Sequence, residues 1–467
     1  MWETRGRRIR AVYGQGVEQL EQQRYDDAIA SLDKAVALVR ESGRLAPMLA
    51  DVLHTRAVAL QRAGRWVESE ASLRESIDVR RALADPLPAP QVERLADSLE
   101  LLAEMLTQGR HFADADALRV EVLGLREHAE WSEWARGLLN RSGTLLQSGR
   151  TEEGLAVATQ LVREALEQPN SSGVADPSFA DGLVNLAVLL RSGGHWDEAL
   201  GVQEVAVETL RPLAGLGDDE LAADFATALA NHSIMHLECG WLEEAVAPGA
   251  EALAIREELA GRVPASFAPA LTDSLNNQAA VLHELGRHEE AEPLARRCVE
   301  LRRQLHAERP RAYERKLPNA LATHAEVLVA CGRGAAALPP AREGAERMAA
   351  LEAAEPGAHT IWLASALDTC AAALAASGDA REAFTTSGDA VVSGRTAYER
   401  SAGAAGIPFT QVLLACARRH RHDQPDQALA WAEEAVSVLR DLSAHEPEAH
   451  ALPLARAEAL RAELAGA

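Results

Sequence analysis

The chain has 467 residues, with 47 basic and 70 acidic side chains and a net charge of −23 at neutral pH. Such a field repels nucleic-acid phosphates, and no basic stripe compensates for it. No window approaches the ~18 consecutive apolar residues of a membrane-crossing helix, and the basic start, Met1 to Arg8, lacks a signal peptide's apolar core.

In chain order, the first recognisable unit turns at Gln23, before Arg24-Tyr25-Asp26-Asp27-Ala28. Looser copies follow at Gly64, Gly109 and Gly149. Next come Gly194-His195-Trp196-Asp197-Glu198-Ala199, Gly240-Trp241-Leu242-Glu243-Glu244-Ala245 and Gly286-Arg287-His288-Glu289-Glu290-Ala291. Gly332 with Ala337, Gly378 with Arg381-Glu382-Ala383, and Asp423 with Gln427-Ala428 complete the series. The ten anchors are 41, 45, 40, 45, 46, 46, 46, 46 and 45 residues apart. A fixed period in this range marks stacked supersecondary units that bury apolar faces on their neighbours.

Each unit reads as helix, tight turn, helix, loop. Before the anchors, Leu183 and Leu190, Leu275 and Leu282, Leu321 and Leu328, and Leu367 and Leu374 share one helical stripe. After the anchors, small residues recur at the fifth and twelfth places, as in Ala199 and Ala206 or Ala245 and Ala252, so helix backbones can approach closely. Pro47, Pro88, Pro264, Pro310, Pro356 and Pro447 all fall 24 residues after an anchor and mark the inter-repeat loops. The segment Pro453 to Leu464, within 453–467, reads as an amphipathic helix closing the last repeat. No comparable cap precedes Ile9, which leaves an upstream region or a self-association surface open. The pattern predicts an all-α chain forming a single solenoid, a right-handed superhelix of about ten helix-turn-helix repeats.

The turn glycine, the aromatic two residues later (Tyr25, Trp66, Trp196) and the small residues at the fifth and twelfth places resemble the tetratricopeptide repeat family over essentially the whole chain. The family's usual period is roughly 34 residues. The longer unit here resembles the long-helix branch seen in kinesin light chains and many bacterial repeat proteins. One departure is the inward position eight before the anchor, which holds Arg141, His232, Gln278 and His324. The resemblance implies a binder of peptides and proteins through a concave groove.

Asn140, Asn185, Asn231 and Asn277 each sit nine residues before an anchor, in a chain with seven Asn in all. The resemblance places that register on the concave face. An Asn amide both donates and accepts, so it can pair with a peptide backbone whatever its side chains. Asn276 adds a second amide. The competing reading is that these amides bond to neighbouring helices and set the superhelix pitch. Other groove registers hold Arg136 and Arg191 in the middle of the chain, then Glu238, Asp273, Glu284, Glu326 and Asp368. These predict an acidic C-terminal half that prefers a basic partner segment.

Catalytic signals are weak. His232 and His236 lie four apart with His283 one repeat on, but without the glutamate of a zinc motif. Cys239 and Cys331 have no evident base, and no phosphate loop or dinucleotide fingerprint occurs. Trp66, Trp196 and Trp241, at the turns, read as packing residues. The five cysteines, Cys239, Cys298, Cys331, Cys370 and Cys416, form no Cys-x-x-Cys pair and read as small packers in a reducing cytoplasm. Only Lys34 and Lys316 are lysines, which suggests a high-GC bacterial genome. The expectation is a cytoplasmic, non-catalytic scaffold without metal or cofactor, with no nucleic-acid or membrane partner, binding an extended peptide. The alternative is a sensor that binds a small peptide or metabolite and signals to a partner.

Overall fold

In the computed structural model the described residues are 2–42, 46–83, 89–126, 131–167, 177–444 and 447–466. They are helical throughout, without a strand among them, and fall into two compact units, Met1–Leu213 and Ala214–Ala467. Pro88 lies outside the described residues.

Unit 1 contains α1 (Trp2–Glu21), α2 (Tyr25–Ser42), α3 (Ala46–Arg62), α4 (Trp66–Arg81) and α5 (Ala89–Gln108). It continues with α6 (Phe112–Leu125), α7 (Trp131–Gln147), α8 (Thr151–Glu167), α9 (Pro177–Ser192) and α10 (Trp196–Ala214). Unit 2 contains α11 (Asp219–Glu238), α12 (Leu242–Arg262), α13 (Pro264–Glu284), α14 (His288–Glu308), the single turn α15 (Pro310–Tyr313) and α16 (Lys316–Ala330). After these come α17 (Gly334–Ala354), α18 (Thr360–Ser377), α19 (Ala380–Arg400), α20 (Ala402–His420), α21 (Pro425–Ser443) and α22 (Pro447–Ala465). The closing helix thus begins six residues before Pro453, which lies inside it. Its Ala457 and Leu460 are buried in the end of unit 2.

The hairpin turns follow from left-handed residues. Gln23, Gly64, Gly149, Gly194, Gly240, Gly286, Gly332 and Gly378 all have positive φ. At Gly286 the amide bonds to the His283 carbonyl (2.9 Å) and the Arg287 amide to that of Leu282 (2.8 Å), the paired bonds that end a helix on a left-handed residue. The third turn departs from the predicted anchor. Arg110 (φ 62), not Gly109, takes the left-handed conformation. The helix crossing explains the shift. Counted from Arg110, the residues seven before and five after are Ala103 and Ala115, both buried, as in the other repeats.

That crossing recurs in every hairpin as Gly16/Ala28, Ala57/Ser69, Ala103/Ala115, Ser142/Gly154, Ala187/Ala199, Ser233/Ala245, Ala279/Ala291, Ala325/Ala337, Ala371/Ala383 and Cys416/Ala428, all buried. Where one partner is serine, its hydroxyl donates across the crossing. Ser142 reaches the Gly154 carbonyl (2.9 Å), Ser233 that of Ala245 (2.7 Å) and Ser69 that of Ala57 (2.8 Å). Successive second helices of the hairpins are joined by exposed ion pairs, such as Arg81–Glu121, Arg342–Glu382 and Arg395–Glu434.

Helix α18, with a mean hydropathy of 1.3 over Thr360–Ser377, is long and apolar enough by composition to cross a membrane, which the sequence reading did not anticipate. Ala364, Ala371 and Ala373 on it are fully buried, and neighbouring α17 and α19 pack against it. Of the cysteines, Cys298, Cys370 and Cys416 are buried, while Cys239 and Cys331 are partly exposed at helix ends, so the packer reading holds for three of the five. Trp66 and Trp241 are about half exposed (47% and 48%), which corrects their expected role as packing residues.

Candidate functional site

The first helices of successive hairpins in unit 2 line a cavity of about 590 Å³. Its walls are Ala230, Asn231 and Ile234 from α11, Ala270, Asp273, Asn276 and Asn277 from α13, and Lys316 and Asn319 from α16. Trp362 of α18 adds a ring that is 56% exposed. Arg256 of α12, Arg302 of α14, Met348 of α17 and Arg315 complete the lining.

Asn231, Asn276, Asn277 and Asp273 are the predicted site residues that meet here. The side-chain carbonyl of Asn276 is buried and has no donor among the described residues. Glu238 and Glu284 are exposed and Glu326 and Asp368 lie elsewhere in the unit, outside this lining. In unit 1, the Asn140 amide donates to Glu100 (2.8 Å), which also holds the Arg119 guanidinium (3.0 Å), so Asn140 ties α7 to α5. Asn185 is exposed on α9, and Arg136 and Arg191 are partly buried on α7 and α9.

The charge of the cavity differs from the expected one. Four basic side chains line it against a single carboxylate, so the predicted acidic groove fails at the cavity itself. Two of the predicted acids are neutralised by neighbours. Asp273 binds Arg302 (2.9 Å) and Lys316 (2.7 Å), and Asp368 binds Arg419 (2.8 Å). Glu326 accepts a hydrogen bond from the Thr369 hydroxyl (2.7 Å). It keeps solvent contact, yet protein surrounds it at longer range. That enclosure, with Asp368 and Glu284 nearby, pushes its carboxyl up to about 7.

Sequence reasoning missed Arg256, Arg302, Arg315, Lys316, Asn319, Met348 and Trp362. Arg256 and Arg302 are on second helices, outside the registers examined for the groove. Their common place was the available signal. With the third turn at Arg110, buried arginines stand 16 residues after four turns, at Arg80, Arg126, Arg256 and Arg302. Each reaches the residue 13 before its own turn. Arg80 binds Asp51 (2.9 Å), Arg126 binds Asp97 (3.0 Å), Arg302 binds Asp273 (2.9 Å), and Arg256 meets Thr227 (3.1 Å).

The polar inward positions have local partners. Arg141 binds Asp116 (2.9 Å), Gln278 donates to the Val246 carbonyl (3.4 Å), and His324 lies 3.6 Å from Glu292. His232 stacks on His236 with ring centroids 4.4 Å apart, and His236 on Trp241 at 5.7 Å. Among the described residues, no group of three or more His, Cys, Asp and Glu gathers as a metal-holding set.

Tetratricopeptide-repeat family models match residues 16–82 and 271–309. No curated protein matches the chain. Among solved structures, BtubC from P. vanneervenii is 19% identical, covering 52% of this chain and 92% of that one with a TM-score of 0.39. A Rap protein complexed with competence and sporulation factor is 14% identical, covering 81% and 99%, with a TM-score of 0.40. The apo quorum sensor NprR from B. thuringiensis is 12% identical, covering 63% and 87%, with a TM-score of 0.36. The second match, 271–309, begins on α13 and ends just past α14, the hairpin that supplies Asp273, Asn276, Asn277 and Arg302 to the cavity. Both matches fall on the helix-turn-helix series that recurs along the sequence, so the chain carries tetratricopeptide repeats at residues 16–82 and 271–309.

Proposed function

We propose that the protein is a non-catalytic interaction module that holds an extended protein or peptide segment against the first helices of unit 2. The cavity with Asn231, Asn276 and Asn277 on adjacent helices carries this reading, above all the buried Asn276 carbonyl without a donor. A buried acceptor left unpaired is costly, and a backbone N–H of a bound chain would satisfy it. Asn231 and Asn277, nine residues before successive turns, offer the same donor-acceptor pair one repeat apart, a spacing suited to an extended backbone. Trp362, Met348 and Ile234 provide an apolar wall for an occasional large side chain.

The test uses peptides selected from a random-sequence display library against the whole chain. Titration calorimetry then compares wild type with Asn231→Ala/Asn277→Ala, once circular dichroism shows that the variant folds. Loss of two backbone-directed amides should weaken peptides of unrelated sequence alike, by roughly tenfold or more. Unchanged affinities would remove the amides from recognition.

A further inference from the structure

Arg256 differs from its three counterparts in one respect. Arg80, Arg126 and Arg302 each have an aspartate 13 residues before their turn, and each binds it. In the repeat of Arg256 that place holds Thr227. Arg256 is 6% exposed and, among the described residues, hydrogen-bonds only to neutral groups: the Thr227 hydroxyl (3.1 Å), the Ser274 hydroxyl (2.7 Å) and the Ala270 carbonyl (3.2 Å). No carboxylate lies within ion-pair distance among the described residues. Burial pushes its pKa down from the usual arginine value, opposed by the field of Asp273.

A buried cation without a counter-ion is unfavourable unless something else supplies the charge. The neighbouring charges do not supply it. Asp273 already binds both Arg302 and Lys316, and Arg315 on the cavity wall has no carboxylate partner among the described residues. The cavity therefore carries surplus positive charge inside a chain of net charge −23.

We propose that the missing counter-ion is carried by the ligand: Arg256, with Arg315, receives a carboxylate of the bound peptide, from an acidic side chain or the chain's own end. This rests on the peptide-binding reading above and sets its polarity. An acidic group enters between α11 and α13, and the chain beside it pairs with Asn276. The whole protein's negative field disfavours acidic partners at long range, so selectivity arises from this desolvated contact rather than from steering.

The experiment titrates short peptides that differ only as Glu or Gln, each with a free or an amidated C-terminus, into wild type and into Thr227→Asp. That substitution places an aspartate where the other three repeats have one, giving Arg256 an internal partner without removing the arginine. Wild type should favour the peptide bearing the added carboxylate by about tenfold, the scale of one charge-assisted hydrogen bond. Thr227→Asp should erase that preference, leave the Gln, amidated peptide bound as before, and raise the melting temperature. Which arm carries the preference identifies the side chain or the terminus as the source. Equal binding of all four peptides by wild type, or a preference that survives Thr227→Asp, overturns the inference while peptide binding stands. If no selected peptide binds, the functional reading falls and the inference with it.

Discussion

His232 has its ring against His236 and much of its surface out of water. Desolvation, then repulsion from His236, lowers its pKa from 6.5 to about 4. The sign follows from linkage. Between those values the unfolded chain binds a proton that the folded chain refuses, so stability is full above 6.5 and falls as pH drops toward about 4. His54, His283 and His324 are shifted down by the same dominant cause and add to the slope. The melting temperature should therefore fall on acidification across that window, and His232→Phe should flatten part of the fall. Identical pH profiles for variant and wild type would contradict this assignment. At this scale the sequence was half legible. The register containing Asn231 and Asn277 could be read from spacing because both stand nine residues before a turn glycine, half-buried on first helices. Arg256 and Arg302 share a spacing of their own, 16 residues after a turn, but they start from second helices, outside the groove registers, and pass between first helices to reach the same cavity.

The helix crossing governs the elements. Ala279 and Ala291 are both fully buried where α13 meets α14, and the series of ten small pairs shows how narrow that contact is. Close approach also occurs between hairpins, since a Cβ on Gly334 of α17 would stand 2.3 Å from the Ala376 carbonyl oxygen of α18. Ala291→Leu should accordingly overpack the crossing and lower the unfolding free energy by about 1–3 kcal/mol. The control is Ala254→Leu on the exposed side of α12, expected to shift stability by no more than ~0.5 kcal/mol. Denaturant titration decides between them, and equal effects would remove the crossing from the account. The same geometry explains why the third turn was misplaced by one residue. Glycine is the natural left-handed residue, so Gly109 drew the assignment. A non-glycine in that conformation costs roughly 1–2 kcal/mol, and keeping Ala103 and Ala115 in register outweighs it at Arg110.

For the whole molecule, the period was legible because each repeat faces the same packing problem and solves it with the same residue sizes. The first residue of the closing helix was not, since Pro447 and Pro453 are both compatible with a helix start and only packing distinguishes them. The sign of charge at the cavity was also hidden. Summed along the sequence, acids dominate, but Asp273 and Asp368 are consumed by internal ion pairs while Arg256 and Arg315 are not. A uniform count misses that difference. Exposed ion pairs between second helices contribute little individually, so the stack depends on its small-residue crossings, and a ligand bridging first helices should stabilise those helices most directly.

The most direct measurement is amide hydrogen exchange of the full chain with and without a library-selected peptide. The account predicts slowed exchange concentrated in α11, α13, α16 and α18, the helices whose side chains form the cavity. Protection confined to the second helices α12, α14 and α17, or absent from unit 2 while the peptide is bound, would contradict it.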